Sequence, residues 1–371
     1  MGRLIEIDPI TRLEGHGKIS IFLDDKGDVA NAYFQVPELR GFEEFCKGRP
    51  VEELPRITPR ICGVCPWAHH MASTKALDDL YKVQPSATGR KLRELAYNTF
   101  FFSDHLLHFF YLAAPDFVVG PTAPAADRNV LGAIAKIGIE KGKEIIKHRM
   151  YGEEILKTLG GKAQHPVSGV PGGVSRGLTE EERGDFERKL VSCVEFGKFS
   201  LGLFDQLVLK NKAYLDLILD KNIYYHETNY MGMVDEDDKV NYCDGMLKVI
   251  DPRGRELFRF DPREYNDHLG EHIEDWSYIK FMYLRSIGWK GFVDGPDSGV
   301  YRSATLARLN VAKGMSTPAA QEAYEHMYSI LPKPIHNTQV YHWARLIEML
   351  NAAERALELI RDPQITSPDI R

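Results

Sequence analysis

The chain has 371 residues and a mass of 42.2 kDa, with 43% hydrophobic and 27% charged residues, enough for one large domain or two ordinary ones. A net charge of −6 and a pI near 6.1 withhold the basic face that nucleic-acid binding requires. Five scattered cysteines are too few for a disulfide framework and favour a reducing, cytoplasmic compartment. The most apolar stretch, residues 100–120, carries Asp104, His105, His108, Pro115 and Asp116, which is too polar for a membrane span, and no signal-peptide pattern is visible at the N-terminus.

Residues 18–23 and 29–36 run apolar or alternate around Asp24-Asp25-Lys26-Gly27-Asp28, which predicts a β-hairpin with a glycine turn. A loop marked by Pro55, Pro59 and Pro66 follows, then a helix over about 68–83. Leu92, Leu95, Ala96, Phe100, Leu107 and Phe110 recur at helical spacing and predict a helix over 88–114. A long helix over 129–159 is predicted next, stopped by Gly160-Gly161 and followed by turns through His165-Pro166 and Pro171-Gly172-Gly173. Thr179-Glu180-Glu181-Glu182 reads as a capping box opening a helix that runs with breaks to about 219. Residues 230–265 alternate and predict two or three short antiparallel strands, and helices return over 317–330 and 337–361. The tail, residues 362–371, reads as a linker leaving a helix. The fold class is mainly α with small β excursions (α+β), as one domain over 1–371. Its parts are a hairpin and cysteine loop (1–70), a helical core (71–225 and 315–361) and a β-containing insertion (226–270).

The richest chemistry lies in Arg60-Ile61-Cys62-Gly63-Val64-Cys65-Pro66-Trp67-Ala68-His69. A C-x-x-C pair has three meanings: half a zinc site, a dithiol redox couple, or half of a soft transition-metal site. No second C-x-x-C occurs, so the pair is half of any four-thiolate site, and the βαβ context of a thioredoxin-like dithiol is missing. Glu14, just before a strand, reads alone as a solvated charge, and Glu43 and Glu44 as exposed acids at a helix start. Asp104 and His108 share one face of an apolar helix, either as a hydrogen-bonded core pair or as functional groups.

Together these segments resemble the large, catalytic subunit of a [NiFe] hydrogenase. Residues 8–16 (Asp-Pro-Ile-Thr-Arg-Leu-Glu-Gly-His) are similar to the family's N-terminal signature, and residues 60–69 to its R-x-C-G-x-C-x-x-x-H. Arg40-Gly41-Phe42-Glu43 precedes them at the usual distance, and Gly160-Gly161, His165-Pro166 and Pro171-Gly172-Gly173 match G-G-x-x-x-H-P-x-x-x-x-P-G-G. Residues 301–310 and 341–346 fit later helical parts, so the likeness covers about 5–361, with a flavour of the cytoplasmic methyl-viologen-reducing type linked to heterodisulfide reductase.

The resemblance implies a large-subunit helical bundle and reversible heterolytic cleavage of H2 to protons and electrons. It implies Cys62 as a terminal nickel ligand, Cys65 as a nickel–iron bridge, and an iron bearing cyanide and carbon monoxide. Glu14 would take the first proton, Glu43 would help hold magnesium, His69 would hydrogen-bond a bridging cysteine, and Asp104 would lie near the open face where hydrogen binds. Soft thiolates suit nickel and low-spin iron, and splitting H2 needs a base within reach. Electrons would leave through the iron–sulfur clusters of a docked small subunit, then through further electron-transfer subunits, since Cys46, Cys193 and Cys243 cannot hold clusters here. The family's second pair, D-P-C-x-x-C-x-x-H, has no counterpart: Asp362-Pro363 is followed by Gln364. The resemblance thus implies that a C-terminal part is missing, and that activity requires its cysteines to be supplied. Retention of Cys62, Cys65, Glu14 and His69 favours a split or shortened chain over loss of the metal. The rival is a metal-free, hydrogenase-related scaffold subunit of an electron-transfer complex, and a half-zinc or dithiol protein is a third reading.

Overall fold

The computed structural model describes residues 3–38 and 40–371. Its frame is a set of long helices: α1 (Pro66–Tyr81), α2 (Ala87–Leu107), α3 (Ile139–Gly160), α4 (Glu180–Phe204), α5 (Ala304–Val311), α6 (Pro318–Ile330) and α7 (Tyr341–Arg361). The innermost is α7, packed mainly against α2 and α4. Leu346, Ile347, Met349, Leu350, Ala352 and Ala353 are all buried there, and so are Glu348 and Asn351, so the middle of the helix is enclosed on nearly every side. Close approach of α4 depends on Gly197, whose added Cβ would come within 3.0 Å of Leu350 Cδ1.

Termini of these helices follow local chemistry. Ser86 caps α2 by accepting from Gly89 N, and Thr179 and Glu182 form the capping box expected for α4. Two expected long helices are broken. Gly138, at φ 100°, separates a short helix Val130–Ile137 from α3, a conformation glycine takes without steric cost. After α2 the chain widens into a π-helical turn, His108–Ala113, before the helix Ala114–Val118. A second π-helical turn, Asp205–Leu209, follows α4 and precedes the helix Lys212–Leu219.

Strands occupy one end and one flank. The expected hairpin, residues 18–35, forms two strands of a three-stranded antiparallel sheet in the order β1 (Leu4–Ile7), β2 (Lys18–Leu23), β3 (Val29–Gln35), with β2 central. The predicted middle strands are β4 (Asn229–Val234), β5 (Met246–Ile250) and β6 (Glu256–Phe260), paired antiparallel. Strand content extends further than the sequence indicated. A hairpin of β7 (Leu269–Ile273) and β8 (Lys280–Leu284) follows, and β9 (Tyr301–Arg302) pairs parallel to β4.

The reading of residues 362–371 as a departing linker is corrected. Ile365 is fully buried, Ser86 and Thr88 donate to the carbonyls of Asp369 and Gln364, and Val174 N donates to Ile370 O at 3.0 Å. Gly173 must lack a side chain there, because a Cβ would sit 1.9 Å from Ile370 O. Among the described residues no helix is long and apolar enough to cross a membrane.

Candidate metal centre

The cysteine loop is shaped by prolines. Thr58–Ile61 forms a 3₁₀ turn with Pro59 near its start, and Cys62 leaves it extended. Cys65 caps α1, whose first residue is Pro66, a position that needs no N–H donor. The loop therefore lays both sulfurs at a helix N-terminus, where the helix dipole favours thiolate. Cys65 N–H donates to Cys62 Sγ at 2.9 Å, and the two sulfurs are joined as a disulfide. One turn on, His69 brings Nε2 to 3.8 Å from Cys65 Sγ. Glu14, 48 residues upstream, brings Oε1 to 3.8 Å from Cys62 Sγ.

Cys62 is buried, Cys65 and His69 are half-buried, and Glu14 is exposed. Burial pushes the His69 imidazole below its usual pKa, so the ring is neutral at pH 7. Cys62, Cys65 and His69 are the sole group of three or more histidine, cysteine or acidic residues among the described residues whose ligand atoms all lie within 4.8 Å.

Neighbouring motifs act as the mould for this loop. His70 hydrogen-bonds Pro55 O through Nδ1 at 2.7 Å, and its Nε2 accepts from Gly169 N at 2.9 Å. His165 Nδ1 faces Pro59 O at 3.1 Å, and Trp67 Nε1 donates to Ala163 O at 2.9 Å. The glycines serve close approach. A Cβ on Gly160 would lie 2.5 Å from the Trp67 ring, and one on Gly169 would lie 2.4 Å from Thr74 Oγ1. Arg93, paired with Asp78 in the interior, donates to Gly173 O and Val170 O, while Gly172 N donates to Asp78. The Pro-Gly-Gly segment is thus clamped to α1 and α2.

The remaining candidates lie apart from the sulfur contacts. Glu43, in the first turn of the helix Phe42–Cys46, meets Arg40 at 2.5 Å and Lys280 at 3.9 Å. A bond to its own backbone N–H, then Arg40 and Lys280, hold its carboxyl below the usual range. Asp104 lies on α2 beside His105, 3.6 Å away. Burial would raise its carboxyl, but His105 and Arg345 outweigh that and hold it low. Of the two readings of Asp104 and His108, the hydrogen-bonded pair is not formed: His108 Nδ1 is buried without a partner among the described residues. Burial lowers the His108 pKa to about 3.

A buried ion network escaped the sequence reading. Glu348 on α7, with no exposed surface, accepts two hydrogen bonds from Arg308 on α5, at 2.7 and 2.6 Å. His105 Nε2 is 3.0 Å from the same carboxylate. Burial opposes the Glu348 charge, but Arg308 overrides it and brings its pKa to about 2. Arg308 also lies over the stacked rings of Phe101 and Tyr242. Its three members stand up to 243 residues apart, and the one available signal was two charges inside otherwise apolar helical stretches.

Comparison with known proteins adds a family context to this geometry. The family described as nickel-dependent hydrogenase matches residues 40–143, and one described as HoxL-like matches 4–39. An iron-sulfur subunit of the F420-non-reducing hydrogenase of Archaeoglobus profundus is 49% identical over 368 residues, 99% of this chain and 75% of that protein. A vhu subunit of the F420-non-reducing hydrogenase of Methanococcus voltae is 43% identical, covering 100% of this chain and 85% of its own length. The beta subunit of the NAD-reducing hydrogenase HoxS of Cupriavidus necator is 37% identical, covering 98% and 75%. Among solved structures, NAD+-reducing [NiFe]-hydrogenase in the H2-reduced state superposes with a TM-score of 0.92 at 36% identity, covering 100% of this chain and 80% of the other.

Proposed function

The chain belongs to the nickel-dependent hydrogenases as a large, catalytic-subunit member, and from that premise we propose that Cys62 and Cys65 are thiolate ligands of its nickel–iron centre. The observation that carries this is the convergence of two sulfurs and the His69 ring within 4.8 Å, with Glu14 against Cys62. Once the bond between them is reduced, the donor set fits the group: two soft sulfur donors at a helix N-terminus, one of them accepting a backbone N–H bond. When bound, the nickel–iron centre supplies the Lewis-acidic site at which H2 is polarised for heterolytic cleavage.

The chain's own residues handle the rest. His69, kept neutral by burial, donates Nε2–H to Cys65 Sγ and tempers its basicity. Glu14 takes the proton on Oε1 and, being exposed, passes it to solvent or a partner surface. Asp104, held low by His105 and Arg345, keeps a negative charge near the face where hydrogen would bind. Glu43 contributes a carboxylate toward magnesium, in exchange for its contacts with Arg40 and Lys280.

Cys193 and Cys243 are held as thiols by burial, which raises both well above the usual thiol range. On this reading the further thiolates of the centre are supplied by cysteines other than Cys46, Cys193 and Cys243, and turnover depends on them. Iron carrying cyanide and carbon monoxide, iron–sulfur clusters in a docked small subunit, further electron-transfer subunits and a cytoplasmic location complete the reading.

The sulfur–sulfur bond favours one rival, a metal-free scaffold subunit of an electron-transfer complex. Nickel and iron analysis of the complex purified with every partner chain, joined to infrared spectra of the metal-bound cyanide and carbon monoxide, separates the two. One nickel per chain with those bands is expected; their absence would sink the metal reading and leave the scaffold.

A further inference from the structure

Among the described residues Glu14 has no hydrogen-bonding anchor beyond its 3.8 Å approach to Cys62, so its place is inherited from the loop that carries it. That loop is closed at its base by Ile10 N donating to Gly17 O at 3.1 Å, and flanked by His16 against Glu38 at 2.6 Å. At its turn sits Arg12, a non-glycine residue at φ 54°, in the left-handed region that a long, charged side chain occupies only when its surroundings impose it. What imposes it is visible. Arg12 NH1 donates to Leu112 O at 2.7 Å, and NH2 donates to both oxygens of Asp116, at 2.7 and 2.8 Å, across about a hundred residues of sequence. Arg128 lies 3.7 Å from the same carboxylate.

Leu112 belongs to the π-helical turn that widens the run continuing from α2, and Asp116 to the helical turn after it. Arg12 therefore ties the Glu14 loop to the helical run that also carries Asp104. A planar guanidinium reaches a carbonyl and a carboxylate in two directions at once, which a lysine ammonium does not reproduce.

We propose that Arg12 is the positioning residue for Glu14: its bridge to Leu112 and Asp116 fixes the strained turn that points the Glu14 carboxylate at Cys62. This rests on the reading of Glu14 as the proton acceptor. Arg12 touches neither sulfur nor substrate; it acts through the backbone between residues 12 and 14.

The test uses the complex with all partner chains and the variants Arg12→Gln, Glu14→Gln, their double, and Asp116→Asn, which cuts the bridge from its other side. Two readouts are needed: D2/H2O isotope exchange, and amide hydrogen exchange of residues 8–17, which does not depend on turnover. Arg12→Gln and Asp116→Asn are expected to speed amide exchange in 8–17 by about tenfold or more. They are also expected to slow isotope exchange toward the Glu14→Gln value, a loss of about 100-fold. The double variant should be no slower than Glu14→Gln alone, with nickel content unchanged throughout. Isotope exchange near the wild-type rate in Arg12→Gln, beside a slow Glu14→Gln, would overturn the proposal alone. So would additive losses in the double variant, or loss of nickel in Arg12→Gln. A wild-type rate in Glu14→Gln would overturn the reading of Glu14 and the proposal with it.

Discussion

Two polar clusters sit within the helical frame, and they are built on opposite rules. Around Glu348 the charges are sealed in: Arg308 meets the carboxylate with two short bonds and His105 with a third, on three different helices. Around Cys62 the groups are close but loosely held: Glu14 and His69 stand 3.8 Å from the sulfurs, and one flank is open. A buried charge is tolerated only when its partners complete it, so the first cluster is committed to architecture. Soft donors at a helix end, once their mutual bond is reduced, are available for an outside ligand, which suits the second cluster to chemistry. If the contrast is right, damage to the first should appear in stability and damage to the second in activity.

The sharpest break would come at the sulfurs. Cys62→Ser and Cys65→Ser are expected to abolish H2-dependent dye reduction and to strip nickel from the complex, while changing the unfolding free energy of the chain by less than about 1 kcal/mol. The loop closed by the pair spans a sequence separation of only 3, so losing the bond between the sulfurs also costs little. Normal turnover in either variant would remove the thiol pair from the site.

The largest stability effect belongs to the other cluster. Glu348→Ala leaves Arg308 buried without its counter-charge and is expected to cost about 3–5 kcal/mol, read by urea denaturation. The conservative Glu348→Gln should cost less, since it keeps a hydrogen-bond acceptor while losing the charge. A loss under about 1 kcal/mol in Glu348→Ala would show that water reaches the network and that the contrast is overdrawn.

Acid should weaken the frame before it touches these carboxylates. Burial brings the pKa of His342 to about 4 and that of His108 to about 3, and each leaves Nδ1 unpaired. The unfolded chain binds protons at both rings below about pH 6.5 while the folded chain does not, so stability falls as pH drops. The slope reaches about 1.4 kcal/mol per pH unit for each ring between pH 6.5 and its folded value. Glu348 contributes in a lower window, its stabilisation being lost as pH falls from 4.5 toward about 2. His69, His70, His148 and His336, also lowered by burial, add to the total, so the measure is a difference. Melting curves at pH 7 and pH 5 should converge in His342→Phe relative to the parent chain; an unchanged gap would show that this ring is protonated in the fold.

What the sequence made legible follows the range of the interactions. The capping box at Thr179 and the C-x-x-C spacing are local, and both were readable. Gly160 and Gly169 could be matched to a motif, but the reason for them, a tryptophan ring and a threonine hydroxyl filling the space of a Cβ, needed the fold. The β7–β8 hairpin was missed because Gly270, Glu271 and His272 leave β7 with large apolar residues only at its two ends. Residues 362–371 looked like a linker because their polar and proline-rich composition hides one residue, Ile365, whose burial organises the segment. The Arg308–Glu348–His105 triad was invisible for a different reason. Nothing within a helix indicates which other helix will supply the counter-charge, and helix-internal Arg and Glu are ordinary on solvated faces.

The smallest expected effect on stability tests the contrast from its weak side. His69 is half-buried, neutral at pH 7, and meets the sulfur only at the outer limit of a hydrogen bond to sulfur. His69→Gln should therefore shift unfolding by no more than about 0.5 kcal/mol, within the range of substitutions that break no buried partner. Its activity should fall all the same, by about 10–100-fold, because a donor that orients a thiolate ligand acts on the ligand's basicity and not on the fold. His70 is the control at the next position, since its two ring nitrogens bond Pro55 O and Gly169 N and hold the loop itself. His70→Gln should lose stability and nickel together. If His69→Gln behaved like His70→Gln, the cluster around Cys62 would be held together by its own contacts, and the distinction between a sealed network and an open set of donors would fail at its most exposed member.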